Sequence, residues 1–428
     1  MLTLRHKYLP FFMWLWPLLF FAYQFILRLW PGLMMHQIMD QFSIDASHFG
    51  LLAAFYYYGY SIMQIPVAIL LDRFSARRII FIFAVLCGLA TLTFTYTSNF
   101  YLALLSRFLI GVGSAVGFLG VSKVVSEWFP KAQYARMVGF SFTFGLTGAI
   151  YGGKPVSILI ETYSWKTVAL TLAIVSITLG FATYFALRSP QNIKKSIPEE
   201  KFKIANFKAI LASPSIWFLA FSNLFMVGSL EGFADVWGVP YLMTAYGINK
   251  GDAAGLISFI FFGMLFGGPL LALCSKRFGN YSVIGMCGFI MALTFVLLLQ
   301  SKTYNPLTLT CLFFVLGIMC CYQVIVFSAG SSLVEPKNLG VTIAFLNCIN
   351  MLGGSFFHTV IGKIMDVFWV GSLNDSGLKI YDINAYKYSL SVVPICACLG
   401  AIIVVLVGLR VQNSYNQVKS EKFLVSES

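Results

Sequence analysis

A bilayer's hydrocarbon core is about 30 Å thick, and an α-helix crosses it in about 20 predominantly apolar residues. This chain supplies such runs one after another. They begin near Tyr8, His48, Ile79, Tyr101, Tyr134, Thr167, Ser213, Asp252, Tyr281, Pro306, Leu339 and Tyr388. With 59% hydrophobic and 11% charged residues and a mean hydropathy of +0.82, the chain has too few charges to coat water-facing domains, which ordinarily carry about a quarter charged residues. The expected class is an all-α membrane protein of twelve transmembrane helices. One long polar stretch, 189–212, holds Lys194, Lys195, Glu199, Glu200, Lys201, Lys203 and Lys208. It divides the chain into an N-terminal six-helix bundle (1–188), a cytoplasmic linker (189–212) and a C-terminal six-helix bundle with a short tail (213–428).

Net charge is +13, but the basic residues sit in short loops between apolar runs rather than along one exposed face. No nucleic-acid partner is expected; the bilayer itself is the macroscopic partner. With the N-terminus in the cytoplasm, alternate loops collect twenty of the twenty-nine lysines and arginines, as the positive-inside rule demands. Both termini are therefore expected to be cytoplasmic in a multi-pass inner-membrane protein. The nine cysteines are scattered through the apolar runs without metal-type spacing and read as small apolar fillers. The first run lacks a small-residue cleavage site and reads as a span rather than a removable signal. No phosphate-cradling loop, zinc-type His/Glu spacing or serine elbow occurs, so no cofactor, metal site or catalytic residue is expected.

Six ionisable side chains lie inside the apolar runs: Arg28, Arg107, Lys154, Glu231, Asp235 and His358. A charge at membrane depth costs about 2.5–3.5 kcal/mol on insertion scales unless it meets a partner or a watery cavity, so each is a functional candidate. Gln24, Arg28 and Pro31 share a helical face. Arg28, Arg107 and Lys154 lie at similar depth on three helices of the first half. A guanidinium suits bidentate binding of a carboxylate or phosphate. For Arg107, bonding between neighbouring helices is an equal alternative; Lys154 is expected either at the substrate or paired with a carboxylate across the bundle. On span five, Ser141, Gly145, Gly148 and Gly152 form a small-residue stripe for close helix approach, beside a polar stripe of Thr143, Thr147, Tyr151 and Lys154. The second half supplies acids. Glu231 and Asp235, one turn apart and near the face of Asn223, resist ionising together, so one is expected to hold a proton. Asp235 also stands near enough to the outer end to be an ordinary surface acid. Span eleven aligns Asn347, Asn350, Gly354 and His358, and span two Tyr57, Tyr60 and Gln64. Spans three, six, nine and twelve carry no intramembrane charge, a three-span period expected if every third helix faces lipid.

Between spans two and three, Asp72-Arg73-Phe74-Ser75-Ala76-Arg77-Arg78 resembles the cytoplasmic loop signature of the major facilitator superfamily. Ala68 and Ser75 replace its two glycines, and the acid and bases are intact. Lys276-Arg277-Phe278-Gly279 is a weaker echo after span eight. Arg107-Phe108-Leu109-Ile110-Gly111, continuing to Ala115, is similar to that family's Arg-x-x-x-Gly motif. Gly152-Gly153-Lys154-Pro155 interrupts with a lysine the Gly-Pro signature that antiporters of the family carry. Val125-Ser126-Glu127-Trp128-Phe129-Pro130-Lys131 resembles the equivalent segment of organic anion:cation symporters. Arg28 is similar in placement to the anion-binding arginine of organophosphate and sugar-acid carriers. Phe55-Tyr56-Tyr57-Tyr58 and Leu71-Asp72-Arg73 resemble a lineage that includes lysosomal dipeptide carriers.

The resemblance implies two pseudo-symmetric bundles rocking about a midplane site by alternating access. A monomeric secondary carrier, not an enzyme, is expected, and three intramembrane cations in the first half against two acids in the second point to inward movement of a small organic anion or zwitterion with protons. An amino-acid, dipeptide or siderophore carrier working as uniporter or exporter stands as the alternative, and a non-transporting sensor or embedded enzyme as the alternative of another class. The expected substrate residues are Gln24, Arg28, Tyr57, Tyr60, Lys154, Asn347 and Asn350, and the expected coupling residues Glu231, Asp235 and His358. Asp72, Arg73, Arg77, Arg78, Arg107 and Glu127 are the expected gating or structural residues, with the Asp72–Arg78 loop latching the bundles on the cytoplasmic side.

Overall fold

The structure is a computed structural model describing residues 2–188, 210–301, 303–335, 338–375 and 377–427, and the side chains of these except 2–7, 135 and 414–427. The linker expected at 189–212 thus falls outside the described residues except for its last three positions.

Helices account for nearly all of the described chain. Spans one to four are Tyr8–Leu33, Ala46–Arg73, Ala76–Tyr96 and Phe100–Trp128; span six is Trp165–Ala186. Spans seven to twelve are Pro214–Tyr246, Lys250–Phe278, Asn280–Gln300, Pro306–Ser331, Leu339–Val367 and Ile383–Asn413. These eleven are long and apolar enough to cross a membrane. Span five completes the set as two helices, Lys131–Gly152 and Lys154–Tyr163, interrupted at Gly153. Every span begins within about five residues of the position expected from hydropathy. Twelve passes leave both chain ends on one face, here called the terminal face; the other is the far face.

The two faces begin their helices differently. On the far face, spans two, four, six, eight, ten and twelve each start behind a capping side chain. Asp45, Asn99, Ser164, Asn249, Asn305 and Asp382 accept hydrogen bonds from the first free backbone N–H groups, a substitution-sensitive contribution of about 1 kcal/mol apiece. The helices that start on the terminal face at Ser75, Pro130, Ser213, Gly279 and Asn338 show no side-chain cap. The far-face helix starts are thus the capped ones.

Charge-free spans pair off. Span six lies along span three, where Ser176 Oγ donates to the Ala84 carbonyl at 2.8 Å. Span twelve lies along span nine, where Gly288 seats beside Ala401. Their outer faces show Ile82, Leu89, Phe181 and Phe185 in the first half and Phe289, Leu293, Leu399 and Leu406 in the second, all exposed. Spans five and eight expose apolar side chains too, at Phe140, Phe144, Phe266 and Leu273, so exposure does not single out every third helix. The small-residue stripe of span five meets span one: Gly148 lies against the Ala22 backbone and Gly145 against the Phe21 ring, and the Trp14 indole donates to Ser141 Oγ at 2.8 Å.

The halves meet along three seams, of which that between spans two and eleven runs from Ala46 and Gly362 at the far face to Gln64 and Asn347. Span one meets span seven, span two meets span eleven, and span five meets span eight. A Cβ added at Gly32 would stand 2.6 Å from the Val236 carbonyl oxygen, and one at Gly50 2.2 Å from that of His358. Only glycine permits either approach. The far face is the closed side of this structure.

Candidate functional site

Span seven is not a continuous α-helix. Pro214–Met226 is α-helical, Val227–Ser229 forms a 3₁₀ turn, Leu230–Trp237 winds as a π-helix, and Gly238–Tyr246 resumes the α-helix. Irregular backbone at membrane depth is tolerated where protein buries it or a cavity receives it, and π segments often mark functional sites. Here Gly228 and Gly232 make a notch for the ring of Phe357 on span eleven. The wider winding carries Glu231 and Asp235, 1% and 2% exposed, into the seam with span one.

Arg28 meets them there. Its Nε donates to Asp235 Oδ2, and its second amino group lies 3.6 Å from Glu231 Oε1. Tyr57 donates its hydroxyl to the same Asp235 oxygen. The guanidinium sits 5.4 Å from the Tyr57 ring centroid and 5.8 Å from that of Phe25, within cation–π range. Asn350 Nδ2 donates to Glu231 Oε1 at 3.2 Å. His358 packs its ring 5.2 Å from Tyr57. One cation and one phenol from the first half thus converge with two carboxylates, an amide and an imidazole from the second.

Unpartnered atoms surround this group. Glu231 Oε2, Asp235 Oδ1, Asn350 Oδ1, both amide atoms of Asn223 and both ring nitrogens of His358 are buried without a hydrogen-bond partner. A buried polar group left unpaired costs about 1–3 kcal/mol, so so many together indicate a place built to receive something polar.

Several expected residues join this centre and others do not. Asp235 is a core acid, which corrects its reading as an ordinary surface acid. Gln24 is buried one turn before Arg28 and accepts from the Tyr56 hydroxyl at 3.5 Å. Tyr60 stacks on Tyr56, and Asn347 Nδ2 donates to Gln64 Oε1 at 3.2 Å, bridging spans eleven and two on the terminal side of the cluster. Lys154 is not brought to the centre. The break at Gly153 turns it outward, half exposed, and it pairs with Asp252 of span eight at 3.0 Å. That places it on the carboxylate-pairing side of its two readings. Arg107 is fully buried within the first half, donating to the Leu27 carbonyl at 3.0 Å and lying 5.1 Å from the Tyr56 ring centroid.

On the terminal face, Asp72 pairs with Lys123 of its own half at 3.2 Å. Arg77 stacks over Tyr184 at 4.8 Å, Arg73 and Arg78 are exposed, and Glu127 is half-buried at the end of span four. The ion pair that Asp72 makes here thus lies within its own bundle, in a structure whose far face is closed.

Sequence reasoning missed a second inter-half cluster at the far end of spans two and eleven, made by Asp45, Asp366, Lys379 and Tyr381. Its residues flank helix ends and a loop, where charge is ordinary, and only the alignment of Asp366 with the span-two N-terminus distinguishes them.

Known proteins share this architecture. The family profile of the Major Facilitator Superfamily matches residues 15–358. An uncharacterised transporter of Bacillus subtilis (strain 168), YybO, is 26% identical over 212 residues, 49% of this chain and 47% of that relative, so this match spans about half its length. The hexuronate transporter of the same organism is 23% identical over 350 residues, 77% of this chain and 82% of that one. A mutant of the nucleoside transporter NupG superposes with a TM-score of 0.74 at 12% identity, over 93% of this chain and 99% of that one, a likeness of fold. With its helical segments in two halves, charges from both converging in the interior and the profile match over most of its length, the chain belongs to the Major Facilitator Superfamily of membrane transporters.

Proposed function

We propose that this carrier takes up a small organic anion together with protons, by alternating access about the Arg28 cluster. The observation that carries this reading is the sharing of Arg28 between the halves: the one cation at the centre comes from span one, and its carboxylate partners come from span seven. A guanidinium engaged by an internal carboxylate is already shaped for an external one. An entering anion displaces Asp235 from Arg28. The released carboxylate, buried and without its cation, takes up a proton rather than remain charged. Anion and proton then cross together, and the free Oδ1 of Asn350 and the unpartnered amide of Asn223 on span seven are available to the polar body of the substrate.

The hexuronate transporter among the relatives supports an anionic substrate. Glu231, so near Arg28, also favours a zwitterion as a second reading, with the carboxylate on Arg28 and the ammonium on Glu231. The test is uptake of radiolabelled D-glucuronate and of a dipeptide into proteoliposomes, with and without an acidic exterior. The expected result is accumulation of the anion that collapses when a protonophore dissipates the gradient. Accumulation driven by sodium, and indifferent to the proton gradient, overturns the coupling.

A further inference from the structure

An α-helix begins with backbone N–H groups that no earlier carbonyl can accept. At the start of span two, Asp45 satisfies one of them, accepting from His48 N at 3.0 Å. The two before it are satisfied by the other half of the molecule. Ala46 N donates to the Tyr381 hydroxyl at 2.9 Å, and Ser47 N donates to Asp366 Oδ2 at 2.7 Å. Asp366 stands at the far end of span eleven, and Tyr381 on the loop that follows it.

The same residues knit together. The Tyr381 hydroxyl donates to Asp366 Oδ1 at 2.5 Å. Lys379 lies 2.9 Å from Asp366 Oδ1 and 3.5 Å from Asp45 Oδ2, so one ammonium bridges a carboxylate from each half. It also rests 5.2 Å from the Trp369 ring centroid. Partial desolvation works against this ammonium, but Asp366 and Asp45 outweigh it and hold Lys379 above its ordinary range. Beneath this cluster Gly362 seats on the Ala46 carbonyl and Gly50 on that of His358, so no side chain holds the helices apart.

We propose that Asp366, Lys379 and Tyr381 form a releasable latch that caps span two from the opposite half and holds the far face closed. The proposal rests on the reading that the two halves rock. The far face cannot open at spans two and eleven without freeing Ala46 N and Ser47 N and dividing Lys379 from one of its two acids. Lys379, Asp45 and Asp366 are partly exposed, so water can take over their contacts on release, whereas the Ala46–Tyr381 bond is buried and is remade when the halves close. That suits a gate better than a permanent joint. The latch contrasts with the Lys154–Asp252 pair at the span five–eight seam, a single half-exposed contact.

The latch is tested by hydrogen–deuterium exchange of the full-length protein in lipid nanodiscs, without substrate, so its outcome is separate from that of the anion proposal. Lys379→Met combined with Tyr381→Phe removes the bridge and the shared hydroxyl and leaves the Asp45 cap in place. Exchange is expected to rise by about thirtyfold or more at Ala46–Ser47, the order expected for losing a charge-assisted and a neutral hydrogen bond. Exchange should also rise in segments 29–35 and 149–158, which lie on the other two seams, because outward opening parts all three together. Deprotection confined to 44–50 and 366–382, with the distant seams unchanged, overturns the latch and leaves a local cap. Lys379→Met alone alters only a partly exposed side chain. It must give the same pattern at smaller amplitude, and a wild-type pattern at every seam likewise overturns the proposal.

Discussion

Arg28 and Arg107 both belong to the first six spans, and both lie deep in apolar helices. Arg107 faces inward to its own half, bonded to the carbonyl of Leu27 and covered by the Tyr56 ring. Arg28, the very next residue along span one from that carbonyl, faces the other way and bonds to two acids of the second half. An arginine whose partners travel with it can keep its bonds through a rocking cycle. An arginine whose partners belong to the opposing body must exchange them each time the halves part. In the proposed cycle Arg107 is a fixed joint that presents span one, and Arg28 the exchangeable contact.

Conservative substitution separates the two roles. Arg28→Lys keeps the charge but loses the planar fork. Losing a bidentate charged contact in a dry site is worth about 1.5–3 kcal/mol or more, so anion affinity should fall by about one to two decades while abundance in the membrane stays near normal. Uptake near wild type, measured as initial rate against concentration, would reduce Arg28 to a bond between helices. Arg107→Lys should show the reverse, a smaller effect on transport than on stability. The carbonyl bond and the Tyr56 stacking would be weakened inside a packed half, costing about 1–3 kcal/mol. A lowered melting temperature with a near-normal KM is the expected signature. A large KM change at unaltered stability would move Arg107 into the substrate site and erase the contrast.

Much of this contrast was legible in the sequence. Ionisable residues within apolar runs are few, and Arg28, Glu231 and Asp235 announce themselves because each must be compensated at membrane depth. The span starts were legible because hydropathy fixes them. The pairing was not. Helical spacing treats span seven as uniform, whereas Val227–Trp237 winds through 3₁₀ and π geometry and so re-aims both acids. Lys154 shares its apparent depth with Arg28, yet the break at Gly153 turns it to Asp252. The small-residue stripe of span five survived because close packing on span one is a local consequence of residue size. The far-face latch was illegible because it joins Asp45 and Asp366, whose separation in the chain carries no pattern.

Displacement of Asp235 from Arg28 by an external anion is the central step of the proposed cycle, and that exchange would have a countable product. Calorimetric titration of the purified carrier with D-glucuronate at neutral pH, in buffers of differing ionisation enthalpy, gives the number of protons taken up per anion bound. About one is expected for the wild type, and none for Asp235→Asn, which still binds the anion because Arg28 has lost the nearer of its two internal competitors. Anion binding without proton uptake by the wild type, or undiminished uptake by Asp235→Asn, would contradict the proposed displacement.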